Sequence, residues 1–282
     1  MMEGISAEDV ICNSGLTLML KSSTGTAACV KPSTALKLQD MGWGTKLKES
    51  HMMDEQRNQM IREKEMMDEE SNYDPKIVPG YFVSQINNTF FTLVSGTSFI
   101  YESQTEDGLE RNEVKVTNDT KIVLGVQTVV VWDRVWLDDE LIEETFDWYA
   151  QDKFGNVWYF GEDSKDYSDG QVISTKGSWE AGVDGAKPGI IMQAVPMIDD
   201  PYKQEYYKGV AEDMAQVIGL DESVEVPYGK FDGCIKTKDW NSLDPETVEY
   251  KYYCPEIAAV ALEVVEEDTE KVELIQVLTD SD

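Results

Sequence analysis

A single histidine in 282 residues, His51, removes most nucleophile and metal chemistry from consideration. A Ser-His-Asp triad, a Cys-His dyad and a multi-histidine metal site all need imidazoles that this chain does not have. Carboxylates remain, and six of them lie in or beside aromatic, strand-like stretches: Asp133, Asp147, Asp152, Glu162, Glu180 and Glu205. Two carboxylates in a cleft with tryptophan platforms are what glycoside hydrolysis requires. Asp147, Asp152, Glu162 and Glu180 are therefore the catalytic candidates, and Trp148, Tyr149, Trp158 and Tyr159 the candidate ligand-binding rings. Two plainer readings stand beside these. In so acidic a chain, carboxylates fall next to tryptophans by chance, and rings at alternating strand positions are usually core.

Other motifs carry less. Asp163, Asp166 and Asp169, followed by Gly170, could offer oxygens to calcium, but they recur at every third residue. An EF-hand loop alternates its ligands, so a solvated loop competes with the calcium reading. The stretch Gly182 to Gly189 ends Lys-Pro-Gly and lacks the Gly-Lys-Ser/Thr ending of a phosphate loop, so it reads as a surface turn. Met52, Met53, Met60, Met66 and Met67 form an irregular stripe without the histidines that usually accompany copper. No motif calls for a cofactor. The sequons Asn87-Asn88-Thr89 and Asn118-Asp119-Thr120 would accept glycans in an exported archaeal or eukaryotic protein.

The elements that position these residues are mostly strands. From Glu143 to Gly161, two aromatic-rich segments flank a polar break at Asp152 to Asn156, the pattern of a β-hairpin. Phe146, Trp148 and Ala150 alternate with Asp147, Tyr149 and Gln151, giving one apolar face and one hydrogen-bonding face. Val157 to Phe160 is apolar on both faces and reads as central. Further strands are expected at Phe90 to Val94, Thr97 to Ser103, Glu110 to Thr117 and Lys121 to Asp133, with Asn118-Asp119 among the separating turns. Later strands are expected at Tyr202 to Tyr207, Ser223 to Val226, Gly233 to Trp240, Thr247 to Tyr253, Ala258 to Glu266 and Lys271 to Leu278. Glu212 to Leu220 reads as a short helix or a loop. Connections this short make neighbouring strands antiparallel. The fold class is mainly β, with one large curved antiparallel sheet or open barrel over residues 80–278.

Two smaller pieces precede the sheet. Residues 1–44 read as a strand at Leu16 to Leu20, a turn at Ser22 to Thr26, and a helix capped near Ser33 and ended by Gly42. Residues 45–79 read as a charged, methionine-rich helical linker closed by Pro75 and Pro79.

The four cysteines fall into two local pairs, Cys12 with Cys29 and Cys234 with Cys254. Their even count and regional pairing indicate disulfides and an oxidising compartment, each bridge contributing about 3 kcal/mol; four reduced, buried thiols are the alternative. No Cys-x-x-Cys is present, which leaves redox catalysis and a zinc ribbon unsupported. The formal charge is −31, from 55 acidic against 24 basic residues. That balance opposes binding to a phosphate backbone or an anionic lipid surface and leaves a cation, a glycan or a basic protein as partners. No window approaches the roughly 18 apolar residues of a membrane-spanning helix, and Met1 to Asn13 lacks the pattern of an export leader.

Two stretches carry resemblances. Gly15 to Ser23, Ala28 to Ala35 and Gly42-Trp43-Gly44 resemble a short two-cysteine segment of exported proteins from ammonia-oxidising archaea. Asn88 to Glu102, Asp147 to Asp152, Gly155 to Tyr159, Gly177 to Met192 and Tyr250 to Tyr253 are similar to a widespread family of exported bacterial and archaeal β-rich proteins of uncharacterised function. The resemblances imply an extracytoplasmic setting, at the cell surface or secreted, and name no reaction. Two functional expectations follow. One is a noncatalytic envelope module that presents its rings to a ligand or a partner. The other is a carboxylate-based hydrolase acting on glycan-like substrates in an aromatic-lined cleft.

Overall fold

The computed structural model describes residues 10, 12, 16–46, 73–198, 201–265 and 270–280. The expected helical linker with its methionines, and His51, lie outside these residues, apart from its two ends at 45–46 and 73–79. The chain divides into two compact units, residues 1–73 and 74–282.

In the first unit, strand β1 (Thr17–Lys21) pairs antiparallel with β2 (Ala27–Val30) and with β3 (Gly44–Lys46), and helix α1 (Pro32–Asp40) connects the outer two. Proline suits the first turn of a helix, where its missing N–H is not needed. Met19 is fully buried and Ala35 nearly so. Cys12 and Cys29 form a disulfide. Gly42, at φ +66, ends the helix as expected and turns the chain into a third strand that the sequence did not announce.

The second unit is built on one large, nearly closed antiparallel sheet. Its long strands are β7 (Thr97–Gln104), β8 (Leu109–Val123), β9 (Val126–Leu137), β10 (Glu140–Asp152), β11 (Val157–Ser168), β17 (Asp213–Val226), β18 (Gly229–Asn241), β19 (Asp244–Cys254), β20 (Ala259–Val265) and β21 (Lys271–Thr279). The order across the sheet is β17-β18-β19-β20-β21-β7-β8-β9-β10-β11-β14, where β14 is Lys187–Met192. Two short strands, β15 (Tyr202–Lys203) and β16 (Glu205–Tyr206), follow one another in the chain yet pair with opposite ends of that order. β15 pairs with β17, and β16 pairs with β14. Short pieces complete the unit: β4 (Phe82–Val83) on β10, the hairpin β5 (Ile86–Asn88) and β6 (Phe91–Leu93), and β12 (Gln171–Ser174) and β13 (Trp179–Glu180) on β11.

The hairpin from Glu143 to Gly161 forms as the sequence indicates, with its break at Asp152 to Asn156. The two faces of β10 part company at the sheet. Trp148 and Ala150 belong to an apolar cluster with Val130, Phe160, Trp179 and Ala181. Tyr149 points the other way, toward the interior cluster of Phe99, Tyr101, Val116, Val131 and Leu274. Cys234 and Cys254, on neighbouring strands β18 and β19, are fully buried in that interior and form the second disulfide.

Four sequence expectations are corrected. The stretch Lys121 to Asp133 is not one strand: Leu124 and Gly125, both at positive φ, make a two-residue hairpin turn between Val123 and Val126. Asn118-Asp119, expected as the turn, instead sits inside β8 where the register slips between Val116 and Thr120. Glu212 to Leu220 is neither helix nor loop; apart from Glu212 it belongs to β17, whose pairing with β18 shifts at three places. Each extra residue of a bulge interrupts the period-two pattern, so the strand hides from it. In the glycine-rich stretch the turn ends at Ala186, and Lys187-Pro188-Gly189 opens strand β14, with Pro188 and Gly189 buried.

Candidate functional site

The interior face of the sheet carries an unusual number of polar groups. Asp147, 7% exposed, lies opposite Glu162 on β11, and Tyr149 lies opposite Tyr159. Tyr159 and Glu162 are three residues apart, which on a regular strand would place them on opposite faces. The bulge at Gly161, φ +131, restores them to the same face. No other residue fits there, since a Cβ would lie 2.3 Å from the Trp179 carbonyl oxygen.

The Tyr159 hydroxyl is 2.6 Å from Asp147 Oδ1 and 2.8 Å from Glu162 Oε2. A phenol carries one proton. It can donate to one carboxylate only, so the other carboxyl must hold a proton and donate to the phenolic oxygen. Burial acts in the same direction. It pushes Glu162 up to about 7 and Asp147 well above the ordinary carboxylate range, with the charges of Glu162 and Asp133 adding to the effect on Asp147. Across β9, Asp133 accepts a 2.7 Å hydrogen bond from Asn112 Nδ2, and burial still lifts it to about 7. Glu205, in the closing segment, is raised by burial and by the neighbouring Asp213.

A cavity of about 250 Å³ opens beside these groups. Its walls are apolar and aromatic, including Phe91, Tyr101, Val131, Tyr149, Ile191 and Val260. Asn112, Asp133, Asp147, Glu263 and Lys251 supply the polar part of its lining. The ring of Tyr149 stacks on Tyr159 at 4.8 Å and meets Phe91 edge-on at 5.3 Å, which holds that wall in place. A second cavity of about 380 Å³ is lined by Gln204, Asp213, Asp239, Asp244, Glu249 and Lys251, with the exposed Leu243 of the β18–β19 turn at its rim. Lys251 lines both. Its ammonium lies 3.2 Å from Glu249, 3.6 Å from Glu263 and 3.9 Å from Asp239. Burial opposes that charge, and the three carboxylates outweigh it, so Lys251 stays protonated well beyond the usual lysine range.

Of the catalytic candidates, the fold brings Asp147 and Glu162 together and leaves the other two elsewhere. Asp152 organises the hairpin turn: its carboxylate accepts hydrogen bonds from the backbone N–H of Phe154 and Asn156, from Asn156 Nδ2 and from Trp158 Nε1. Glu180 pairs at 2.8 Å with Lys121, whose ammonium sits 3.1 Å above the Trp148 ring. Among the rings, Tyr149 lines the cavity and Tyr159 stacks behind it; Trp148 and Trp158 pack in the cluster on the other face. Asp163 and Asp166 lie along β11 and Asp169 in the turn after it, and Asp163 pairs with Lys165. Among the described residues, no three acidic, histidine or cysteine side chains gather closely enough to hold a metal ion.

The sequence reading passed over Asn112, Asp239, Lys251 and Glu263. One signal was present. Thr247 to Tyr253 alternates Glu249, Lys251 and Tyr253 with Val248, Tyr250 and Tyr252, and a lysine directly opposite a glutamate, Lys251 with Glu263, is a pair that an interior can hold. The usual assumption that charge faces outward hides it.

No family model and no curated protein matches this chain. Among solved structures it is similar to the crystal structure, at 2.70 Å resolution, of a "putative lipoprotein" from Parabacteroides distasonis ATCC 8503, with a TM-score of 0.36 and 11% identity over 67% of this chain and 98% of that one. A likeness at that level carries no conclusion about fold or activity.

Proposed function

We propose that the large unit is a noncatalytic binding module of an exported envelope protein, which encloses one small ligand inside its sheet. The observation that supports this reading is the interior cavity, about 250 Å³ in volume, with apolar walls and convergent polar groups. That combination is the usual form of a small-molecule site, with a volume a little below the common range and so suited to a ligand of few atoms. Export is supported by the cysteines: all four are paired in disulfides, bonds that persist in oxidising compartments.

A hydrolase is the second reading, favoured by the Asp147 and Glu162 carboxyls held by one hydroxyl, closer together than two hydrogen-bond lengths. Retaining glycosidases place their carboxyls about 5 Å apart. Here, however, the Tyr159 hydroxyl occupies the space between the pair, where a glycosidic oxygen would have to sit. Glu162 is also not among the residues that line the cavity.

The test is a fragment library screened by thermal shift on the full chain and on an Ala259→Phe variant, which fills the cavity. A ligand at 100 times its Kd stabilises by about 2.7 kcal/mol, several degrees in Tm for a domain of this size. The expected result is a set of fragments that shift the wild type and not the variant. Fragments that shift both equally, or none at all, would count against an enclosed site; turnover of a glycoside would favour the hydrolase.

A further inference from the structure

Building on the binding reading above, we infer that the enclosed ligand is an organic cation, an alkyl- or arylammonium, which enters past Lys251 through the acidic second cavity.

The first argument is the balance of charge inside the sheet. Lys251, among the described residues the one basic side chain lining the ligand cavity, is already held by Glu249, Glu263 and Asp239. Asp133 accepts a hydrogen bond from Asn112 and Asp147 shares one with the Tyr159 hydroxyl, both neutral groups, and among the described residues no basic side chain forms an ion pair with either. A buried carboxyl without a counter-charge is expensive to ionise, and Asp133 accordingly stands near 7 for want of one. An ammonium in the cavity supplies the missing charge. A neutral ligand leaves the two acids as they are, and an anionic ligand would add to the repulsion.

The second argument is the wall. Phe91, Phe99, Tyr101 and Tyr149 line the same space, and a cation near aromatic rings gains from their quadrupoles, by more where water is excluded.

The third is the approach. Asp239 is 4% exposed, lines the second cavity, and accepts from the Gln204 side-chain amide at 3.3 Å. Asp213, Asp244 and Glu249 line the same space with Lys251 as its basic member, so the opening concentrates cations and repels anions. Because Lys251 lines both cavities, the inferred path between them runs past its side chain.

Three matched pairs test this on the full chain by calorimetry and thermal shift: butylammonium with butanol, phenethylammonium with 2-phenylethanol, and choline with 3,3-dimethylbutanol. The expected result is that at least one cation binds about tenfold or more tighter than its alcohol, with Kd below about 1 mM. In a variant carrying Asp133→Asn and Asp147→Asn, whose fold is checked by near-UV circular dichroism, the preference should vanish while the alcohol's affinity stays. Asp244→Asn, at the exposed rim, should slow association and leave dissociation unchanged. Equal affinity for cation and alcohol would overturn the charge assignment and leave the binding module standing. If no cation binds below about 1 mM, the inference falls whatever the fragment screen shows.

Discussion

Tyr159 has one hydroxyl proton and two carboxyl neighbours, and that mismatch fixes how the protein answers to pH. Asp133, Asp147, Glu162 and Glu205 are all raised, chiefly by burial, so the folded chain holds protons that the unfolded chain releases near pH 4. For a group whose folded pKa is the higher one, the stabilisation is fully present below the unfolded pKa and is lost as pH climbs through the folded one. Unfolding free energy from urea titrations should therefore fall between pH 5 and pH 8, by an amount on the order of a few kcal/mol. Asp147→Asn, which removes one titrating group and keeps its shape, should flatten the fall. A stability that rises across this window would contradict the shared-proton arrangement. From sequence, Asp133, Asp147, Glu162 and Glu205 stood out beside aromatic strands, but so did Asp152 and Glu180. Only three-dimensional neighbours separate a turn-capping carboxylate from one that shares a proton, because both lie in or beside aromatic strand segments of the chain.

Elements decide which residues meet, and here bulges decide it more than strands do. A strand read with period two places Tyr159 and Glu162 on opposite faces, and the one-residue slip at Gly161 reverses that. The glycine itself was visible in Phe160-Gly161-Glu162; its role was not, since a glycine in a strand signals a bulge, a bend or a close approach without choosing among them. The same limit hid the first part of strand β17, Asp213 to Leu220, where register shifts scramble the alternation, and moved one hairpin turn from Asn118-Asp119 to Leu124-Gly125. The regular stretches were legible for the opposite reason: Phe146 to Gln151 alternates cleanly because one face packs in an apolar cluster and the other faces the cavity. Gly161→Ala tests the bulge. The new methyl group meets the Trp179 carbonyl oxygen at 2.3 Å and the Trp148 ring at 3.1 Å, in a backbone conformation that alanine disfavours. The expected cost is about 3 kcal/mol or more in urea unfolding, because neither the backbone carbonyl nor the buried ring has room to move. Near-UV circular dichroism should change as well, as the stack of Tyr149 on Tyr159 is displaced. A loss below about 1 kcal/mol would mean that the slip does not depend on glycine.

At the scale of the whole unit, closure of the sheet is what makes an interior. An open antiparallel sheet of this length would leave β14 and β17 as unpaired edges, with backbone groups free to recruit another chain. Residues 202–206 prevent this by pairing with β17 through Tyr202 and Lys203 and with β14 through Glu205 and Tyr206, while the Gln204 amide donates to the Asp213 carbonyl. Tyr202 to Tyr207 was legible as a strand, but its division between two partners was not, since five residues carry no pattern that assigns them to one edge or the other. Its tolerance is set at Gly189. A Cβ there would lie 2.4 Å from the backbone carbonyl of Gln204 and 2.5 Å from that of Lys203, so the closing segment rests directly on a glycine. Gly189→Val should push the segment off β14 and open the sheet along that seam while the β17-to-β11 pairing survives. Hydrogen exchange is then expected to quicken for residues 202–206 and for the neighbouring rows of β14 and β17, with strands β7 to β9 remaining protected. The exposed edges should also promote self-association, seen as a larger species in analytical ultracentrifugation. Uniform loss of protection across all strands would show instead that the joint is part of one cooperative core. An unchanged exchange pattern would show that the segment does not close the sheet at all.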